Sequence, residues 1–131
     1  MNEDGQKKRI LIIDDDKFLL DMYSIKFSEQ NFEVLALPSA ILALEKIEGG
    51  YAADVMLVDI IMEKMDGFSF IKEIRSKTLC PAAAMIILSN LGQQEDVNQG
   101  RELGVDGYII KASATPSEVV AKVEEIIKNK K

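Results

Sequence analysis

Four short apolar runs in this chain are each followed directly by a polar position that could do chemistry. Asp14, Asp15 and Asp16 follow residues 10–13, Asp59 follows 55–58, Ser89 follows 85–88 and Lys111 follows 108–110. Three carboxylates gathered in one crevice repel, and some would have to take up protons unless a cation shares the space. A hard divalent ion such as Mg²⁺ meets that need, because it prefers oxygen ligands and keeps several waters; Mn²⁺ is an alternative. Lysine supplies a point charge for a phosphate oxygen, and a serine hydroxyl donates to another. Together these residue types describe phosphoryl transfer to a carboxylate. Asp59 is the expected nucleophile and an aspartyl phosphate the expected product. Catalysis would then rest on positioning and charge stabilisation.

The elements that must carry these groups are legible in the apolar pattern. ILII at 10–13, VLAL at 34–37, VMLV at 55–58, MIIL at 85–88 and YII at 108–110 are short and continuously apolar, which suits parallel strands buried on both faces. Helix-length stretches lie between them. From 18 to about 30, Leu19, Leu20, Tyr23 and Phe27 recur at helical spacing. Ser39 can cap a helix over 40–47 that Gly49 and Gly50 end; another runs over 68–76, and one over 95–103 stops at Gly104. Thr115-Pro116-Ser117-Glu118 combines a capping box with proline at the first helical position. Five strand-then-helix repeats imply an α/β fold with an open parallel sheet and helices on both faces. In such sheets, ligands sit at the carboxyl ends of the strands, where the four polar positions fall.

Bulk properties narrow the function classes. At 131 residues the chain is one domain's worth. Its net charge of −6 disfavours direct nucleic-acid binding. The chain has no histidine, which excludes a His-dependent triad and a Cys/His zinc site. Its single cysteine, Cys80, cannot form an internal disulfide and fits a reducing compartment. No apolar stretch approaches the roughly 20 residues of a membrane span, so a cytoplasmic setting is expected, with no membrane contact.

With its motifs in hand, the chain resembles the receiver domains of two-component response regulators. The matching segments are ILIIDDD at 10–16, DVMLVDIIMEKMDG at 54–67, MIILSN at 85–90 and GYIIK at 107–111. Their order and spacing cover residues 8–129, read as a single receiver domain behind a flexible segment at 1–7 and with no output domain. The resemblance implies a flavodoxin-like (βα)5 fold with strand order 2-1-3-4-5. It implies that Asp14 and Asp15 form the acidic pair, with Asp15 on Mg²⁺ directly and Asp14 through water. Asp59 matches the phosphoacceptor, and the Ile61 backbone carbonyl completes the protein's metal ligands. Ser89 and Tyr108 match the switch pair, and Lys111 the phosphate-pairing lysine. A sensor histidine kinase or phosphotransfer protein is the implied donor. A protein target on the surface of the fourth helix, fifth strand and fifth helix is the implied reader. The chain is expected to be a monomer or a phosphorylation-induced dimer. It would catalyse its own phosphorylation and dephosphorylation but is not otherwise an enzyme.

Several positions depart from the usual receiver pattern. Glu63 and Ala112 stand where proline is common after Met62 and Lys111. A cis bond before alanine costs about 3–4 kcal/mol, so a trans bond and an altered loop are expected. Ile61 and Leu91 flank the phosphoryl position with side chains that cannot orient water, which implies slow dephosphorylation. Asn90 is larger than the small residue common beside the hydroxyl, so it is expected to crowd access. Plainer roles fit other residues: Asp16 as a helix cap, Asp66-Gly67 as a turn, and the methionines as packing. Two other functions compete. An Asp-x-Asp at 14–16 also suits a haloacid-dehalogenase-type phosphatase, though Asp59 has no role there. A purely structural receiver-like module would need a broken acidic site, and this one is intact.

Overall fold

Each apolar run forms a strand and each helical stretch a helix. In the computed structural model, which describes residues 7–130, the elements are β1 (Arg9–Ile13), α1 (Lys17–Glu29), β2 (Glu33–Leu37), α2 (Ala40–Glu48), β3 (Val55–Val58), α3 (Gly67–Ser76), β4 (Ala84–Ser89), α4 (Gln94–Glu102), β5 (Gly107–Ile110) and α5 (Pro116–Asn129). A 3₁₀ turn, Lys111–Ser113, links β5 to α5. The flexibility expected of residues 1–7 falls, but for Lys7, outside the described residues.

The sheet is five-stranded and parallel, in the order β2-β1-β3-β4-β5. Alternate side chains feed two cores, as strand pleating requires. Leu11, Ile13, Met56, Val58, Met85 and Ile87 face α2 and α3. Ile10, Ile12, Val55, Leu57, Ile86 and Leu88 face α1 and α5. β1, β3 and β4 are therefore covered on both sides, which is why their sequences run apolar without alternation. Each such side chain contributes about 1.5–3 kcal/mol of hydrophobic stabilisation.

Helix starts use side-chain caps. The carboxylate of Asp16 accepts from the Leu19 N–H at 3.1 Å, and the Ser39 hydroxyl from Leu42 at 3.3 Å. Thr115 and Glu118 exchange both bonds of their capping box, at 3.2 and 2.8 Å. Asp66 does more than turn the chain: its carboxylate accepts from the Ser69 N–H at 2.8 Å and caps α3. At the opposite ends, Asn31, Gly50, Thr78 and Gly104 take positive φ of 67, 111, 52 and 76°. The next N–H in each case reaches back to close the helix, as from Phe32 to the Phe27 carbonyl and from Leu79 to that of Ile74.

Register sets the functional rim. Ile13 pairs with Val58, so the residues that follow them, Asp14 and Asp59, come level on adjacent strands. The Asp59 N–H donates to the Ile13 carbonyl at 3.0 Å and holds that alignment. Ser89 pairs with Ile110, which brings Asn90 beside Lys111.

Candidate functional site

Asp14, Asp15 and Asp59 each present a carboxylate oxygen, and these oxygens lie within 4.8 Å of one another. Asp14 and Asp59 are buried, at 1 and 7% exposure, while Asp15 faces solvent. Lys111 reaches back from the 3₁₀ turn and bridges the buried pair. Its Nζ lies 2.7 Å from Asp14 Oδ2 and 3.1 Å from Asp59 Oδ2. The other oxygens of the pair are held by backbone: Asp14 Oδ1 accepts from the Asp16 N–H at 2.9 Å, and Asp59 Oδ1 from that of Ile60 at 2.8 Å.

Electrostatics follow from this crowding. Burial pushes the Asp59 carboxyl above the ordinary range; Lys111 pulls it down and Asp14 pushes it up further. For Lys111, burial alone would lower the ammonium. Contact with Asp14 and the charges of Asp14 and Asp59 outweigh it, and the net direction is upward. Asp14 Oδ2 is buried, yet the approach of Lys111 leaves it without an aligned hydrogen bond. Two buried carboxylates with a third, exposed one beside them are a donor set suited to a hard divalent cation.

Ser89 is buried at the end of β4, and its Oγ accepts from the Leu91 N–H at 3.1 Å. The Tyr108 hydroxyl donates to the carbonyl of the same Leu91. Leu91 is thus gripped at both its amide and its carbonyl by the two residues the sequence singled out as a switch pair. Burial raises the Tyr108 hydroxyl, Asp96 adds to this, and the Ser89 hydroxyl opposes it.

Ile61 lies two residues past Asp59 with an exposed side chain. Its carbonyl accepts no hydrogen bond among the described residues, whereas that of Ile60 is taken by the Gly67 N–H at 2.8 Å. Glu63, standing where proline is common, accepts from the Met65 N–H at 2.8 Å around Lys64, whose φ is +69°. This is a three-residue turn of γ type. The bond between Lys111 and Ala112 is trans, since no cis peptide occurs among the described residues.

Two residues matter in ways that spacing did not show. A Cβ on Gly67 would lie 2.2 Å from the Asp59 carbonyl oxygen. The bare glycine therefore lets α3 start against the backbone of Asp59 and Ile60. Asn90 does not merely crowd the rim: its Oδ1 accepts from the Ala112 N–H at 2.9 Å. The available signal was Ala112 itself, which brings an N–H to a place where proline would have none.

Comparison with known proteins agrees with this geometry. The family model of the response regulator receiver domain matches residues 10–124. The chain is 28% identical over 125 residues to the probable transcriptional regulator ycf27 of Pyropia yezoensis, covering 95% of this chain and 49% of that one. It is 33% identical over 120 residues to the nisin biosynthesis regulatory protein NisR of Lactococcus lactis subsp. lactis, covering 92 and 50%. The chain thus spans about half the length of the curated relatives it matches. Among solved structures, the CheY-like receiver domain protein of Methanospirillum hungatei JF-1 superimposes with a TM-score of 0.83 at 27% identity, covering 94 and 95%. The BeF3-activated DrrB receiver domain gives 0.81 at 25%, covering 95 and 100%. The matched span runs from β1 into α5 and holds the acidic cluster, the hydroxyl and the lysine in their strand-end places, so the chain belongs to the response regulator receiver domains of two-component systems.

Proposed function

We propose that this receiver accepts a phosphoryl group on Asp59 in a Mg²⁺-dependent reaction and passes the change to a partner protein. The observation that carries the reading is the carboxylate trio within 4.8 Å, two of its members bridged by one buried lysine.

An Asp59 oxygen attacks the phosphorus of the donor. The P–N bond to a phosphohistidine, or the P–O bond of acetyl phosphate, breaks, and the leaving group departs with the electron pair. Asp14, Asp15, Asp59 and the Ile61 carbonyl would hold Mg²⁺, which when bound offsets negative charge on the entering phosphoryl oxygens. Lys111 already sits between Asp14 and Asp59 and is placed to pair with a phosphoryl oxygen. Ser89 can donate to another, and turning toward it loosens the contact with Leu91. Because Tyr108 holds the other end of Leu91, that movement reaches the α4–β5–α5 surface. Phosphate thereby favours one packing of this surface over another.

The donor in this reading is a sensor histidine kinase or a phosphotransfer protein, and the reader is a protein bound at α4–β5–α5. A reducing cytoplasmic setting is supported by the single cysteine, and among the described residues no helix is long and apolar enough to cross a membrane.

Intact mass after incubation with acetyl phosphate tests the reading. One added phosphoryl group is expected for the wild type, lost when Mg²⁺ is chelated and lost in Asp59→Asn. An adduct that survives in Asp59→Asn would overturn the assignment of the acceptor. Rapid donor turnover without any adduct would point to a phosphatase instead.

A further inference from the structure

Lys111 has a demanding position. It must aim one ammonium between two buried carboxylates, yet its backbone lies beyond the end of β5, in a 3₁₀ turn of three residues. Such turns have poorer hydrogen-bond geometry than α-helices or strands. Within the turn, the Lys111 carbonyl accepts from the Ala114 N–H at a long 3.3 Å. The last ladder pair before it is Ser89 with Ile110. The shorter bond at this bend comes from outside the turn: the Ala112 N–H donates to Asn90 Oδ1 at 2.9 Å.

Asn90 directly follows Ser89. One side-chain bond therefore joins the loop that carries the hydroxyl to the loop that carries the lysine. We propose that Asn90 is a positioning residue: it holds the Ala112 amide so that Lys111 stays aimed at Asp14 and Asp59, and it makes the Ser89 and Lys111 loops move as one. The proposal rests on the phosphoacceptor reading above and deepens it.

Physical chemistry gives the bond this role. An N–H paired to a side chain 22 positions away fixes the backbone in a way that no local turn bond can. Lys111 has four rotatable side-chain bonds, so an error in its backbone is magnified at Nζ. A misplacement of about 1 Å in a reacting constellation can cost up to about 100-fold in rate. Asn90 is exposed, as is Ala112, so the bond is not demanded by burial. Its worth lies in geometry rather than in filling a core.

The test uses the full chain as Asn90→Ala, Asn90→Asp, Lys111→Ala and the Asn90→Ala, Lys111→Ala pair, with acetyl phosphate as donor. Amide hydrogen exchange at Ala112 is followed by NMR, and initial phosphorylation rates are measured against donor concentration. Asn90→Ala is expected to speed exchange at Ala112 and lower the limiting rate about tenfold, with the melting temperature little changed. Asn90→Asp keeps the acceptor oxygen and is expected to restore exchange protection. In the Lys111→Ala background, Asn90→Ala is expected to change the rate less than about twofold, because nothing remains to be aimed. Unchanged exchange at Ala112 in Asn90→Ala, or failure of Asn90→Asp to restore protection, would overturn the tether. A full tenfold loss in the Lys111→Ala background would overturn the claim that Asn90 acts through the lysine. If the wild type takes up no phosphoryl group at all, the phosphoacceptor reading fails, while the exchange measurement still decides the tether.

Discussion

Asp59 carries its charge at a cost to the fold. Burial raises its carboxyl above the ordinary value of 3.8, so the folded protein favours the protonated form relative to the unfolded chain. The sign follows from linkage. The stability tied to this group is complete below the ordinary value and is lost as pH rises through the raised one. Asp59→Asn should therefore stabilise the metal-free protein at neutral pH. The gain should vanish below about pH 4, where wild type and variant are both neutral at this site. Melting curves of both across pH, in chelator, check this; an Asn variant no more stable than wild type at pH 7 would contradict the raised carboxyl. A second residue-scale prediction concerns Ile61 and Leu91, neither of which can hold water by hydrogen bonding. Ile61→Asn with Leu91→Glu should speed loss of the phosphoryl group by about tenfold or more, measured as decay of the phosphoprotein mass. Wild-type decay within seconds would refute the premise.

These side chains were readable because they fall where strands end, and strand ends follow from the order of apolar runs along the chain. Asp14, Asp15, Asp59 and Lys111 meet as their strand positions imply. Gly67 and Asn90 were not readable in the same way. The role of Gly67 depends on where another segment's backbone passes, and that of Asn90 on a partner 22 residues away. Neither leaves a periodic or motif signature.

Among the elements, α3 is the most closely fitted to the site. Asp66 caps it, and Gly67 lets its first turn lie on the Asp59 carbonyl. The atoms a Cβ would strike are backbone, at 2.2 Å for the Asp59 oxygen and 2.9 Å for the Ile60 Cα, so no side chain can swing aside. Gly67→Ala should destabilise the fold by about 3 kcal/mol and slow phosphorylation by displacing Asp59. Denaturant unfolding and intact mass read the two effects separately, and an alanine variant of wild-type stability would show that α3 can shift freely. The helices were legible to within a residue or two because their caps are written in local sequence. The 3₁₀ turn at Lys111–Ser113 was seen only as an altered loop, since three residues carry no periodicity.

At the scale of the molecule, the sheet separates two cores that share one acidic rim. Asp14 and Asp59 follow two adjacent inner strands, β1 and the central β3, which pack into both cores. A cation that relieves the rim therefore acts on the whole cooperative unit. Mg²⁺ at 100 times its dissociation constant should add about 2.7 kcal/mol to the unfolding free energy. The gain should be largely lost in Asp15→Asn, whose carboxylate is exposed. Thermal melts with and without Mg²⁺ measure it, and an equal gain in the variant would remove Asp15 from the site.

The grip of Tyr108 on the Leu91 carbonyl has an optical consequence. The chain has no tryptophan and three tyrosines, so its native ultraviolet emission comes from phenol rings alone. Tyr23 is buried against α5 and Tyr51 packs on the opposite core, which leaves Tyr108 as the ring tied to the Leu91 loop. Phenol emission is sensitive to hydrogen bonding with a carbonyl, so release of Leu91 would change the brightness of one fluorophore in three. Under the proposed switch, tyrosine emission would report phosphorylation without a label, and a Tyr108→Phe control would isolate the reading.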